Sequence, residues 1–250
     1  MKNKIYIVIL LACFNYGNSQ TTTIVFMDKS SSLHTDDELL AKKTKILEGV
    51  FREGIKNEGD QIVLSYIFSN TASPSNAHYF SYEPPEPLDM KMTKMEKEIA
   101  HVEHEQQKRR YKKNLRKSFI DKALKYENSN TGTSVFGCFP IIQTVVERNR
   151  NSKVSVYIFS DLEECSEFQN LYCKGANTFA SYDQAQEMAC SDLERAKEVF
   201  QVDSDLLSKL KSIKVFLPSK DLSEKKSFVY LPKYWAKIFE GLGANQISFQ

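Results

Sequence analysis

The chain lacks most of the residue arrangements that announce an enzyme. Its 250 residues include only four histidines, His34, His78, His101 and His104. They supply neither a metal triad nor a base beside a nucleophile. His101 and His104 are i, i+3 neighbours in a basic stretch and read as surface residues. There is no Gly-x-Ser-x-Gly elbow, no P-loop and no Gly-x-Gly-x-x-Gly turn, so the common signatures of serine hydrolases, nucleotide hydrolases and dinucleotide-binding domains are missing. The net charge of +2 is too small to point to a nucleic-acid or membrane partner. Past the first twenty residues no apolar run is long enough to span a bilayer. No internal repeat or low-complexity tract occurs. What is present, 41% apolar and 26% charged residues, is the composition of an ordinary globular α/β chain.

The first nineteen residues read as a leader. Lys2 and Lys4 precede an apolar run from Ile5 to Phe14, and Gly17, Asn18 and Ser19 offer small residues before Gln20. A basic region, a short apolar core and a cleavage site make a secretory signal peptide. The mature protein is then expected to begin near Gln20 and to be periplasmic or extracellular. A competing reading takes Leu10-Leu11-Ala12-Cys13 as a lipobox, with Cys13 becoming a lipid-anchored N-terminus. Export leaves four cysteines, Cys138, Cys165, Cys173 and Cys190, whose even number suggests disulfides with three connectivities open. Cys165 and Cys173 bracket a short loop and are the first pair expected. Free buried thiols are the alternative, and the spacings fit no zinc site well.

Hydrophobic periodicity then gives alternating elements. Residues 24–29 begin as a buried strand, 36–56 as an amphipathic helix, and 61–68 as a strand whose near-continuous apolar run suits a sheet covered on both faces. Residues 77–82 read as a short edge strand stopped by Pro84, Pro85 and Pro87. Residues 88–126 read as one long helix free of glycine and proline. Its apolar positions Leu88, Met92, Met95, Ile99 and Val102 step as a heptad seam that lapses at Gln106 and Arg109 and resumes with different phase at Leu115, Phe119, Ala123 and Tyr126. Between Lys91 and Lys125 lysine and arginine outnumber aspartate and glutamate. The stripe either lies on the domain or forms an arm for a second partner, a helix or an acidic surface. Helices at 135–148, 182–211 (in one or two pieces) and 233–242 alternate with strands at 153–159, 213–217 and 246–249. The expected fold is a Rossmann-like, doubly wound, mostly parallel sheet flanked by helices. Residues 20–250 are expected to form one domain, with the long helix inserted before the last site loop.

Three polar loops punctuate this pattern. The first strand ends in Asp28-x-Ser30-x-Ser32, a turn-rich loop carries Gly132-Thr133, and the strand at 153–159 ends in Ser160-Asp161. Carboxylates and hydroxyls are hard oxygen donors of the kind Mg²⁺ accepts. Taken alone, the first loop would equally cap the following helix through Asp36 or Asp37. Taken together, the three resemble the metal-ion-dependent adhesion site of von Willebrand factor type A domains. That family places Asp-x-Ser-x-Ser after its first strand, a threonine in a glycine-containing loop, and an aspartate at the end of its fourth strand. The resemblance covers residues 21–249. It implies that Asp28, Ser30, Ser32, Thr133 and Asp161 hold Mg²⁺, or Mn²⁺ or Ca²⁺. It also implies that an open coordination position accepts an Asp or Glu carboxylate from a protein partner. Two departures stand out. Leu162 occupies a position where the family commonly has glycine, and Glu163 and Glu164 add carboxylates that would either strengthen or block the site. The function expected is therefore a non-enzymatic, exported, metal-dependent binding module. The alternatives are a metal-dependent phosphoesterase or hydrolase, and a structural envelope component with a vestigial site.

Overall fold

The computed structural model describes residues 20–29, 37–69, 71–73, 76–85, 93–125, 132–171, 179–217 and 229–250. Residues 1–19, where a leader is expected, Ser30, Ser32, Cys173 and the seam residues Leu88 and Met92 lie outside the described residues. Six strands form one sheet in the order β3-β2-β1-β4-β7-β8. They are β1 (Thr21–Asp28), β2 (Gln61–Ile67), β3 (His78–Ser81), β4 (Lys153–Phe159), β7 (Leu210–Phe216) and β8 (Ile247–Phe249). Every pairing is parallel except β2 with β3 at the edge. A separate two-stranded ladder joins β5 (Glu164–Cys165) to β6 (Asn170–Leu171). The helices are α1 (Asp37–Gly54), α2 (Lys94–Leu124), α3 (Cys138–Arg148), α4 (Tyr182–Phe200) and α5 (Leu231–Gly241). This is a Rossmann-like α/β arrangement, as the alternation of patterns implies.

The near-continuous apolar strands have a direct cause: each face of the sheet is covered. On one side Ile24, Phe26, Val63, Val156 and Ile158 pack under α3, α4 and α5. On the other, Val25, Met27, Ile62, Leu64, Tyr157 and Phe159 meet α1 and the C-terminal half of α2. Side chains alternate across a strand, so both sets must be apolar. Tyr234, Trp235, Ile238 and Phe239 are all buried on the inner face of α5, as their spacing predicts.

Three expectations need correction. Residues 210–211 belong to β7, because α4 stops earlier: Gln201 adopts a left-handed backbone (φ 51°) at its C-cap, and a 3-10 turn at Leu206–Lys209 leads into the strand. The first part of the α2 seam does not lie on the domain, since Met95, Ile99 and Val102 are 73%, 53% and 56% exposed. Instead Ala100, His104, Phe119 and Ala123 are the buried positions, so His104 is an inward residue and not a surface one. Phe119 explains the choice, stacking on Phe51 at 6.1 Å and meeting Phe80 edge-on at 5.5 Å. Helix α2 also starts where a capping box allows it. The Thr93 hydroxyl accepts from the Glu96 N–H, and the Glu96 carboxylate accepts from the Thr93 N–H, satisfying two otherwise orphaned donors.

Candidate functional site

The sheet order fixes where a site can form. From β1 the chain moves outward to β2 and β3, and from β4 it moves the other way to β7 and β8. The reversal falls between β1 and β4, and ligands of open α/β sheets bind beyond the carboxyl ends of the strands at such a switch point. Asp28 is the last residue of β1 and Asp161 follows β4 by two residues. The parallel register pairs Met27 with Phe159, which sets Asp28 beside Ser160. The Ser160 hydroxyl donates to Asp28 Oδ2 at 2.6 Å and accepts from the Leu162 N–H at 2.9 Å. Asp161 Oδ1 accepts from the Glu163 N–H at 3.1 Å. Both aspartates are buried.

Thr133 reaches the same sheet edge by a different route. The neighbouring Ser134 N–H donates to the Phe68 carbonyl just past β2, and the Thr133 carbonyl accepts from the Cys165 N–H at 2.7 Å. The loop therefore spans from the end of β2 to the segment after β4. Gly132 makes this approach possible, since a Cβ there would sit 1.8 Å from the Cys165 carbonyl oxygen. The requirement is for space and not for an unusual φ. Gly132→Ala is expected to push the loop off β5 at a cost of about 1–3 kcal/mol, the range for overpacking. Urea denaturation would read that loss. A wild-type midpoint would show that the loop does not need the contact.

Sequence reasoning missed Lys29 and Lys43 here and left the direction of Glu164 open. Lys29 is buried, and its ammonium lies 4.9 Å from the Tyr66 ring centre. It donates to the carbonyls of Ala123, at 3.2 Å, and Lys125. Tyr66 adds a hydrogen bond to the Lys122 carbonyl at 2.8 Å. A cation at the C-terminus of α2 complements the helix dipole and ties the long helix to the first site loop. Lys43 on α1 is half-buried: burial lowers its ammonium's pKa, and the carboxylates of Asp28 and Asp161 oppose that shift. A lysine interrupting the Leu39, Ile46, Val50 stripe was the available signal. Glu164 is fully buried and turned away from the aspartates. Its Oε2 accepts from the N–H groups of Val135, at 2.6 Å, and Phe136, at 3.3 Å. It thus closes the turn that opens α3.

The donor set fits a hard divalent cation in kind: two carboxylates and the hydroxyls of Thr133 and Ser160, without a soft ligand. Among the described residues no three His, Cys, Asp or Glu side chains form a metal-holding group. A cation here would depend on hydroxyls, with Ser30 and Ser32 lying outside the described residues. Cys138 and Cys190 are free thiols, the first buried and the second exposed, so a framework pairing all four cysteines does not form. Burial explains Cys138, which packs in the core among Phe139 and Ile142.

No family model matches this chain, and no curated protein does. Solved structures similar to it include proximal thread matrix protein 1 from the mussel byssus, 12% identical with a TM-score of 0.33, covering 88% of this chain and 47% of that one. Another is the human COPII-coat protein Sec24c, 11% identical with a TM-score of 0.39, covering 93% of this chain and 29% of that one. The chain thus spans less than half the length of either.

Proposed function

We propose that this chain is a von Willebrand factor type A-like module, exported from the cell, that uses a divalent cation to bind a carboxylate of a protein partner. The observation that carries the reading is the meeting of Asp28 and the Ser160-Asp161 pair at the switch point of the sheet. Asp28, Asp161 and Thr133, with Ser30 and Ser32 of the same loop, would hold Mg²⁺, Mn²⁺ or Ca²⁺. With only two carboxylates the bound ion keeps enough Lewis acidity to attract an incoming Asp or Glu. Glu164 supports an open coordination position, because its Oε2 is engaged at the start of α3 and its Oε1 by the Ser166 hydroxyl. The exposed Met95, Ile99 and Val102 on α2 suit a second protein contact. We also infer a Cys165–Cys173 bridge, supported by Cys138 and Cys190 being free thiols while Cys165 is not one.

Titration calorimetry tests the metal. Mg²⁺ or Mn²⁺ is expected to bind wild-type protein, and binding is expected to vanish in Asp28→Asn and Thr133→Ala while their thermal midpoints stay close to wild type. Absence of heat with both ions in the wild type overturns the reading. It would favour a second one, in which the Lys43 ammonium serves as the counter-cation of a structural carboxylate pair.

A further inference from the structure

Beside the aspartates lies a cavity of about 180 Å³. Its floor is built by the ends of two paired parallel strands: Phe159 of β4 is in register with Phe216 of β7, and the rings stack at 4.8 Å. Its wall is one face of α1, where Leu39, Lys43 and Ile46 follow at i, i+4 and i+7, the spacing that sets side chains on one side of a helix. Ser160 lines the end nearest Asp28. Among the described residues the charged side chains lining the cavity are two lysines of α1, Lys43 and the more exposed Lys42, and Gln250 also lines it. Asp28 and Asp161 act on Lys43 but do not themselves line the space.

An apolar chamber with ammonium groups and a hydroxyl at its rim is complementary to an apolar body that carries one negative charge. The volume sets the size. A dry cavity of roughly 150 Å³ holds a benzene ring, whereas sites for larger ligands run from about 300 Å³ upward. We propose that this cavity binds a small organic carboxylate whose apolar part is about the size of one ring. The ring would sit on Phe159 and Phe216, between Leu39 and Ile46, and the carboxylate would accept from the Lys43 ammonium, the Ser160 hydroxyl proton being given to Asp28. This inference does not rest on the metal reading, although a cation held by Asp28 and Asp161 would tighten the complex by withdrawing those carboxylates from Lys43.

The test uses the full mature chain with methyl-labelled leucine and isoleucine, titrated with 3-phenylpropanoate in EDTA and again in Mg²⁺. Saturable shifts confined to the Leu39 and Ile46 methyls are expected in EDTA, weakened about tenfold or more in Lys43→Met, the loss expected for one charge-assisted contact. Because Lys43→Met could perturb α1, a second variant, Leu39→Trp, fills the chamber, keeps Lys43, and is also expected to abolish the shift of the Ile46 methyls. Equal binding of the neutral 3-phenylpropan-1-ol would overturn the proposal, since the lysine would then select nothing. Shifts seen only in Mg²⁺ and lost in Asp28→Asn would overturn it too, placing the carboxylate on the metal. Binding of a tetrapeptide with adjacent Glu and Phe, but not of the free acid, would overturn it in favour of a docking groove. Loss of Mg²⁺ binding with the EDTA titration intact would refute the metal reading alone.

Discussion

Raising the pH from about 5 to about 8.5 is expected to destabilise this fold by several kcal/mol, and Glu164→Gln is expected to remove most of that dependence. Glu164 is fully buried, and desolvation pushes its carboxyl pKa from 4.5 up to about 8. The hydrogen bonds from Ser166, Val135, Phe136 and Ser134 pull the other way and only partly offset it. The folded state therefore holds a proton that the unfolded chain has already released. Between the two pKa values the native state binds more protons, so stability is full below about pH 4.5, falls as pH rises towards 8, and levels off above it. At about 1.4 kcal/mol per unit, the whole shift amounts to some 4–5 kcal/mol, a large share of a typical domain's stability. The cysteine and tyrosine groups that burial raises titrate above this window. Cys138 is raised well above its usual value by burial, and Tyr234 is raised by burial and by Asp192. Urea midpoints at several pH values would read the slope. A slope equal in wild type and Glu164→Gln would show that this carboxyl is not what titrates. Glu164→Ala makes a useful contrast: it leaves the buried N–H groups of Val135 and Phe136 without their acceptor. It should lose about 1–3 kcal/mol per orphaned group at every pH.

The role of Glu164 also shows where the sequence is and is not informative. Its position after Asp161 identified it as an extra carboxylate near the site loops, but not which way it would turn. That direction depends on Cys165 pairing with Thr133, a contact between residues more than thirty positions apart. The strands were legible because burial on two faces leaves few polar positions: β4 runs from Lys153 to Phe159, and Ser155 is the one polar residue between Val154 and Phe159. The seam of α2 was misread because heptad spacing says that apolar residues share a side, not that the domain lies on that side. Phe119, further along, decided the orientation. The two aspartates were legible as strand ends, since a polar residue closing an apolar run is a local signal. Lys43 and Ser160 acquire meaning only once α1, β1 and β4 are adjacent.

Replacing Leu162 should give an inverted order of stability, with Leu162→Gly at least as stable as Leu162→Ala. The backbone at Leu162 is left-handed (φ 64°) while its side chain is completely buried. A non-glycine residue there costs about 1–2 kcal/mol, yet a leucine is retained where glycine would relieve it. Packing gives the reason. The side chain belongs to the core under α5, and the Leu162 carbonyl accepts from the indole N–H of Trp235 at 3.0 Å. Trp235 is itself enclosed, with Phe136 at 4.8 Å and Tyr234 at 5.4 Å. Truncating a buried leucine costs about 2–5 kcal/mol, more than the strain relieved, so both variants should fall below wild type. Alanine keeps the strain and loses the packing, whereas glycine loses the packing alone. At an ordinary position glycine is instead the worse of the two by about 0.5–1 kcal/mol. If Leu162→Gly proved clearly less stable than Leu162→Ala in chemical denaturation, the left-handed turn after Asp161 would be refuted. Trp235→Phe probes the same turn from the other side. It removes the donor to the Leu162 carbonyl and part of the ring stack, for an expected loss of about 2–4 kcal/mol. Since Leu162 adjoins Asp161, the same variant should also weaken Mg²⁺ binding if that aspartate holds the cation. Unchanged Mg²⁺ affinity in a destabilised Trp235→Phe protein would mean that the turn supports the core without orienting the site.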